Sequence, residues 1–292
     1  MKSEAFSFVS SQRLWKGTQR SEMKKRIITI TAVIFLLMGS VLIIAPMISN
    51  EVGKSAAHSA VEKFEELKNS IEQTNPTSEP TSAPAESKPS EKKTVTTEPP
   101  ESGERQSGSG GTIIYHIDSD RLYRDSVAYN ENLKTRQYDL LIDEYSYQQV
   151  SLNLYDYGVP DNIYGYISAP SIDMELPIYL GGTVDNMSFG AAHLTYTSLP
   201  IGGESTNCVL AAHTGYIGRI FFDYIRYLNV GDEVTVTNLW NKLTYRVTDK
   251  RVYKKYESAD CYIKEGQDLL TLITCANGGA DRYYVLCDRV TR

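Results

Sequence analysis

A cysteine that closes an apolar run, with an arginine seven residues on, is the pair in this chain best suited to covalent chemistry. The stretch is LLTLITCANGGADRY, residues 269–283. A thiol attacks as thiolate, so it needs a cationic or proton-accepting neighbour and an accessible position. At the end of a strand, followed by ANGG, Cys275 would stand on a rim. RYYVLCDRV reads as the returning strand, and such a hairpin would set Arg282 beside Cys275. Arg289 is a rival cation. Positions 282 and 289 differ by an odd number and point to opposite faces of a strand, so only one can face Cys275. Arg282 lies nearer the hairpin end.

The thiol also needs a base, and the chain has four histidines. His58 falls in a polar helical stretch and reads as solvated; His116 stands at the first edge of the tyrosine-rich part of the chain. His213 ends the apolar run NCVLAAH and precedes a Thr214-Gly215 turn, the same rim position as Cys275. His193 lies in FGAAHLTYTSLPIGG, a segment rich in turn residues. Spacing favours His213 and leaves His193 in contention. Each, taken alone, reads equally as a hydrogen-bonded structural histidine.

These residues need a scaffold. From residue 163 the pattern predicts strands at IYGYISA, MELPIY, NCVLAAH, DEVTVTN, KLTYRVTDKRVYK, DLLTLITC and RYYVLCDRV. NLWNK (238–242) suits a hairpin connection. GRIFFDYIRYL (218–228) has helical spacing and reads as a crossover. Many short strands with few helices predict a closed or nearly closed β-barrel. Residues 119–158 read as helical pieces with polar loops.

The remainder of the chain reads as a device for holding that barrel. All 21 tyrosines lie at or after Tyr115, which marks a folded part from about residue 112. Residues 74–111 hold six of the eleven prolines and no aromatic, and predict an extended linker. Residues 49–73 include a stalk helix with Ala57, Val61, Phe64 and Leu67 on one face. Residues 27–48, IITITAVIFLLMGSVLIIAPMI, carry no charge and are long enough to span a hydrocarbon core of roughly 30 Å. Lys24, Lys25 and Arg26 precede them, so the basic tail 1–26 is expected in the cytoplasm and the remainder outside the cell. The apolar run exceeds a typical signal-peptide core and no clear A-x-A site follows, which predicts an uncleaved single-pass anchor. The net charge of −6 divides into +5 over residues 1–26 and −11 over the rest, which argues against nucleic acid as partner.

The four cysteines, 208, 261, 275 and 287, show no CxxC spacing, so a structural zinc site is not expected. If Cys275 works as a thiol, Cys208, Cys261 and Cys287 can form at most one disulfide; all four read equally as small buried apolar residues. No spacing resembles a calcium loop, and no metal or cofactor is expected.

Thr271, Leu272, Ile273, Thr274 and Cys275 match the TLxTC motif, so the chain resembles the sortase family of Gram-positive cysteine transpeptidases. SLPIGGESTNCVLAAHTG (198–215) resembles the family's segment leading to its catalytic histidine, which falls on His213. DRYYVLCDRV resembles the last strand, and the catalytic arginine falls on Arg282. The resemblance covers roughly residues 160–292. It implies an eight-stranded sortase-type β-barrel with short helices over residues 161–292, preceded by an N-terminal extension (112–160) that could act as a lid. It also implies a two-step acyl transfer. Cys275 attacks an LPXTG-like sorting signal of a surface protein or pilin, and an amine from a pilin lysine or from lipid II resolves the thioester. His213 would serve as acid and base, Arg282 as oxyanion or substrate ligand, and Thr274 as a substrate-positioning residue. The histidine segment and last strand look most like the pilus-assembling class C group. Its Asp-Pro-aromatic lid motif has no clear counterpart: in LYDYGVPDN, Asp156 meets Tyr157 directly. Nor does a C-terminal membrane segment follow the last strand.

Two other classes fit part of the pattern. A cysteine peptidase shares the first step but passes the acyl group to water. Papain-like enzymes place Cys before His, whereas His213 precedes Cys275 by 62 residues. The SHGC-like motif of L,D-transpeptidases is absent. A non-catalytic tethered β-domain for wall binding or adhesion would tolerate loss of the Cys275 thiol.

Overall fold

The β-branched and aromatic runs form eight strands in the computed structural model, which describes residues 2–74, 117–142, 146–215, 218, 221–255 and 259–290. These are β1 (Gly165–Ala169), β2 (Met174–Leu180), β3 (Ala191–His193), β4 (Thr206–Ala211), β5 (Glu233–Asn238), β6 (Lys242–Lys254), β7 (Asp268–Ala276) and β8 (Asp281–Arg289). They close into a barrel in the order β1-β2-β3-β4-β7-β8-β6-β5. β2–β3 and β4–β7 are parallel; the other pairs are antiparallel.

Strand alternation explains the packing. Even positions of β4 and β7 (Cys208, Leu210, Leu270, Leu272) and odd positions of β8 (Val285, Cys287) fill the barrel interior with Ile167, Val234, Val236 and Tyr245. The opposite parity (Val209, Ala211, Ile273, Tyr284) builds a second apolar layer outside the barrel, covered by Leu194 and Cys261. Strands buried on both faces read as continuous apolar runs, as VLAA and LLTLI do.

Seven strand segments were predicted and eight are present. The extra one, β3, has three residues and sits in the turn-rich segment around His193. Of the expected helical crossover, residues 221–228 contain only a 3-10 turn at Ile225–Tyr227. Its periodicity is that of a plug: Phe221, Phe222, Ile225 and Leu228 are buried in the barrel core.

Helix α1 runs unbroken from Lys2 to Thr74. Ala57, Val61, Phe64 and Leu67 lie on one face as expected and are each under 7% exposed. That face packs on β1 and β2, so this part of the helix belongs to the globular body. Residues 27–37 and 41–45 are exposed, and α1 contains a stretch apolar and long enough to cross a membrane. The expected linker, residues 74–111, and His116 lie outside the described residues, apart from Thr74, the last residue of α1.

Helix α2 (Ser119–Ile142) clamps the barrel through a stripe that is half polar: Leu122, Ser126, Asn130, Leu133 and Gln137. Asn130 bonds both the amide and the carbonyl of Leu199, at 2.7 and 3.3 Å. Gln137 donates to the carbonyls of Tyr196 and Cys261 and accepts from the amide of Ile263. Within the region where a lid was expected, Leu154, Tyr157 and Val159 are core residues packed with Leu67, Leu122, Leu180 and Leu199. Leu199 follows Ser198, whose amide bonds Asn207; Asn207 pairs with Leu269, six residues before Cys275, or about 20 Å along a strand. Tyr147, in the 3-10 turn Ser146–Gln148, reaches the outer layer instead.

Candidate active site

Cys275 and Arg282 are directly opposed across the β7–β8 hairpin. In an antiparallel pair such residues project from the same face. Both are half-buried. The face is the outer one, continuing the row of Ala211, Ile273 and Tyr284 to the strand ends. The hairpin turn is locked by its own polar groups. Asp281 accepts from the Asn277 amide at 2.5 Å and pairs with Lys254 at 2.9 Å. The amide and then the ammonium hold the Asp281 carboxyl below its ordinary range. Arg282 donates from Nη1 to the carbonyls of Gly279 and Asp281, each at 2.9 Å. Those two bonds orient the guanidinium and leave Nε and Nη2 for another acceptor.

His213 reaches the same place from β4. The last β4–β7 pair is Ala211 with Ile273. Two residues on along both strands come His213 and Cys275. The Ala212 amide bonds the Ile273 carbonyl at 3.3 Å, and the Thr274 hydroxyl donates to the Ala212 carbonyl at 2.8 Å. The His213 carbonyl accepts from the Phe222 amide at 3.1 Å, and the Gly215 amide donates to Asp223 at 2.8 Å. Gly215 has φ +78°, the left-handed region where glycine is unstrained. The histidine is thus held at the barrel rim by strand pairing on one side and the plug loop on the other. The structure brings His213, Cys275 and Arg282 to one rim.

Thr274 is 7% exposed and its hydroxyl is taken up by Ala212. It supports the histidine segment from beneath, on the face opposite Cys275. Arg289 sits at the far end of β8, its guanidinium 5.4 Å from the Tyr245 ring centroid, and does not approach Cys275. His58 is paired with Glu62 and Glu175 on the surface.

His193 is fully buried, and its Nε2 lies 3.1 Å from the carbonyls of both Thr197 and Ser198. Nε2 therefore carries the proton and donates, and the ring holds the turn between β3 and β4. Burial lowers its pKa from an ordinary 6.5 to about 4, against the opposing effect of the two carbonyls. The unfolded chain then binds this proton between pH 6.5 and 4 and the folded chain does not, so this contribution is complete above pH 6.5 and lost as pH falls. We expect acidification from pH 7 to 4 to cost about 3 kcal/mol through this residue. In His193→Gln the fall in urea midpoint across that range should be correspondingly smaller than in the unmodified protein.

The other three cysteines are buried free thiols. Burial raises all three: Cys261 to about 12, Cys208 and Cys287 further. That suppresses their thiolates and leaves Cys275 as the one partly exposed thiol. Among the described residues no group of three or more His, Cys, Asp or Glu is placed to hold a metal ion.

The Sortase domain family model matches residues 167–290, a span that includes all three rim residues. The solved sortase C-1 of Actinomyces oris is 31% identical and aligns over 59% of this chain and 99% of its own, with a TM-score of 0.51. The chain belongs to the sortase family. A solved sortase C2 of pilus island 1 from Group B Streptococcus is 28% identical over 60% of this chain and all of its own, with a TM-score of 0.51. Sortase A of Bacillus anthracis is 32% identical over 132 residues, 44% of this chain. This sortase spans 60% of that relative's length. The family match begins within β1 and ends just past β8, so it excludes α1, α2 and the 3-10 turns between α2 and β1.

Proposed function

We propose that this sortase is a membrane-anchored cysteine transpeptidase that cleaves an LPXTG-like sorting signal and passes the acyl group to an amine. The observation that carries the reading is the direct opposition of Cys275 and Arg282, with His213 held alongside by the β4–β7 register. The Cys275 thiolate attacks the carbonyl between Thr and Gly of the signal. Negative charge builds on that oxygen, where Nε and Nη2 of Arg282 can donate. His213 protonates the departing amine as the C–N bond breaks, leaving a thioester on Cys275. An incoming amine then loses a proton to His213 and attacks the thioester, which releases the thiolate. Thr274 keeps His213 in register through Ala212.

The sorting signal belongs to a surface protein or pilin, and the acceptor is a pilin lysine or a peptidoglycan-precursor amine. Likeness to class C sortases, one of them from a pilus island, favours the lysine. Residues 27–48 anchor the enzyme with its N-terminus in the cytoplasm. The segment Ser146–Gln149, whose carbonyls meet Gly182 and Thr195, is the part of the extension best placed to act as a cover.

The test is mass spectrometry of the full chain incubated with LPXTG-type peptides, with and without a lysine-bearing or glycyl amine. A thioacyl adduct on Cys275, resolved to an amine-capped product, is expected. An adduct resolved only by water would support the peptidase, and silence across all peptides would leave a tethered binding domain. Arg282→Lys retains charge but loses the planar fork and its two carbonyl contacts. We expect kcat/KM for the first step to fall about 10²-fold while peptide binding changes little.

A further inference from the structure

The membrane end of α1 touches the loop that carries His213. The Gly218 amide donates to Oδ1 of Asn50 at 2.7 Å, and Gly218 lies directly against Ser49. These residues are the first and second after Ile48, the end of the apolar span. Tyr224, on the same loop, shares a surface pocket with Met47, Ile48 and Val52. Helix rise places Ser49 and Asn50 only about 1.5–3 Å above Ile48. Each headgroup layer is roughly 5–8 Å deep, and helix tilt lowers the height further. The body of the barrel begins higher: Ala57, the first α1 residue in its core, is about 14 Å above Ile48.

We propose that the loop following His213 docks into the headgroup layer of the membrane that holds α1, through Tyr224 and Tyr227. The surface has interfacial chemistry. Tyr224 and Tyr227 are 42% and 61% exposed, with ring centroids 6.0 Å apart. Tyrosines in such positions keep their rings at the apolar boundary and their hydroxyls in the polar layer. The Arg226 guanidinium lies 5.7 Å from the Tyr227 ring centroid, whereas Lys54, which borders the same pocket as Tyr224 and Glu51, is paired with Asp173 at 3.1 Å. An arginine flanking exposed aromatics suits a layer containing anionic phosphates. The barrel rim bearing His213 and Cys275 is then held at the lipid surface, where a membrane-tethered acyl acceptor or a substrate emerging from the bilayer arrives.

The inference rests on the anchored topology and is independent of the catalytic reading. Its test uses the full chain in phosphatidylcholine–phosphatidylglycerol vesicles whose acyl chains carry bromine near the glycerol. Tyr227→Trp adds a fluorophore at the loop. Tyr155→Trp adds one on the 3-10 turn at the other end of the barrel, where the side chain is 64% exposed. Trp15 and Trp240 of the unmodified chain set the baseline. The emission added by Tyr227→Trp should fall by about half, as for a ring at interfacial depth, while that added by Tyr155→Trp stays unquenched. Flotation of the chain with equal, weak quenching at both positions overturns the docking and leaves the anchor standing. Failure of the chain to float overturns both, and adduct formation on Cys275 reports separately on the chemistry.

Discussion

Cys275→Ala is expected to abolish both the thioacyl adduct and the amine-capped product. The loss should be on the order of 10⁶ in kcat, the scale seen when a covalent nucleophile is removed from a preorganised site. The remaining cysteines cannot substitute, because Cys208, Cys261 and Cys287 are buried and burial holds each protonated. The substitution removes one half-buried sulfur at the end of β7 and breaks no hydrogen bond of the hairpin, which Asn277, Asp281 and Lys254 hold. The thermal midpoint should therefore stay close to that of the unmodified protein. Full product formation by Cys275→Ala would sink the transpeptidase reading, and preserved wall attachment with no turnover in either protein would favour a tethered binding domain.

His213→Asn is expected to lower kcat/KM by about 10³-fold, within the range for loss of a positioned general acid and base. The effect should appear in both halves of the reaction, because the proposed mechanism gives one imidazole both the leaving amine and the incoming one. Asparagine keeps a hydrogen-bonding side chain, and the backbone bonds of the segment to Ile273 and Phe222 do not involve the imidazole. Thermal unfolding and peptide affinity should hardly change. Steady-state kinetics with amine varied at saturating peptide isolates the second half. The matching experiment at His193 has a different signature. There a substitution alters acid stability, since that ring is buried under two carbonyls and away from the rim.

The barrel was legible because burial on both strand faces leaves near-continuous apolar runs, as at residues 208–212 and, with Thr271 the one polar residue, 269–273. The Cys275–Arg282 pairing was legible because a hairpin obeys strict alternation, and parity also removed Arg289. β3 was not legible: three residues carry no period, and its strand character comes from pairing with β2 and β4. The loop at 221–228 has helical spacing because four apolar residues plug a barrel end, a demand of volume that mimics a helical face. The buried stripe of α2 was hidden because Ser126, Asn130 and Gln137 are polar, and their burial makes sense only beside the backbone groups they satisfy.

By itself the sequence determined the barrel, the apolar span and the opposition of Cys275 and Arg282, because each follows from periodicity, length or parity along a short stretch. Tertiary structure decided what depends on contacts between distant segments. It separated His213 from His193, since only three-dimensional packing distinguishes a rim imidazole from one enclosed by its own turn. It turned the stalk helix into part of the globular body, because the apolar face of residues 57–67 finds its partners in segments remote in sequence, chiefly on β1 and β2. And it joined Gly218 to Asn50, 168 residues apart: no local pattern encodes the meeting of the end of an apolar span and a histidine loop.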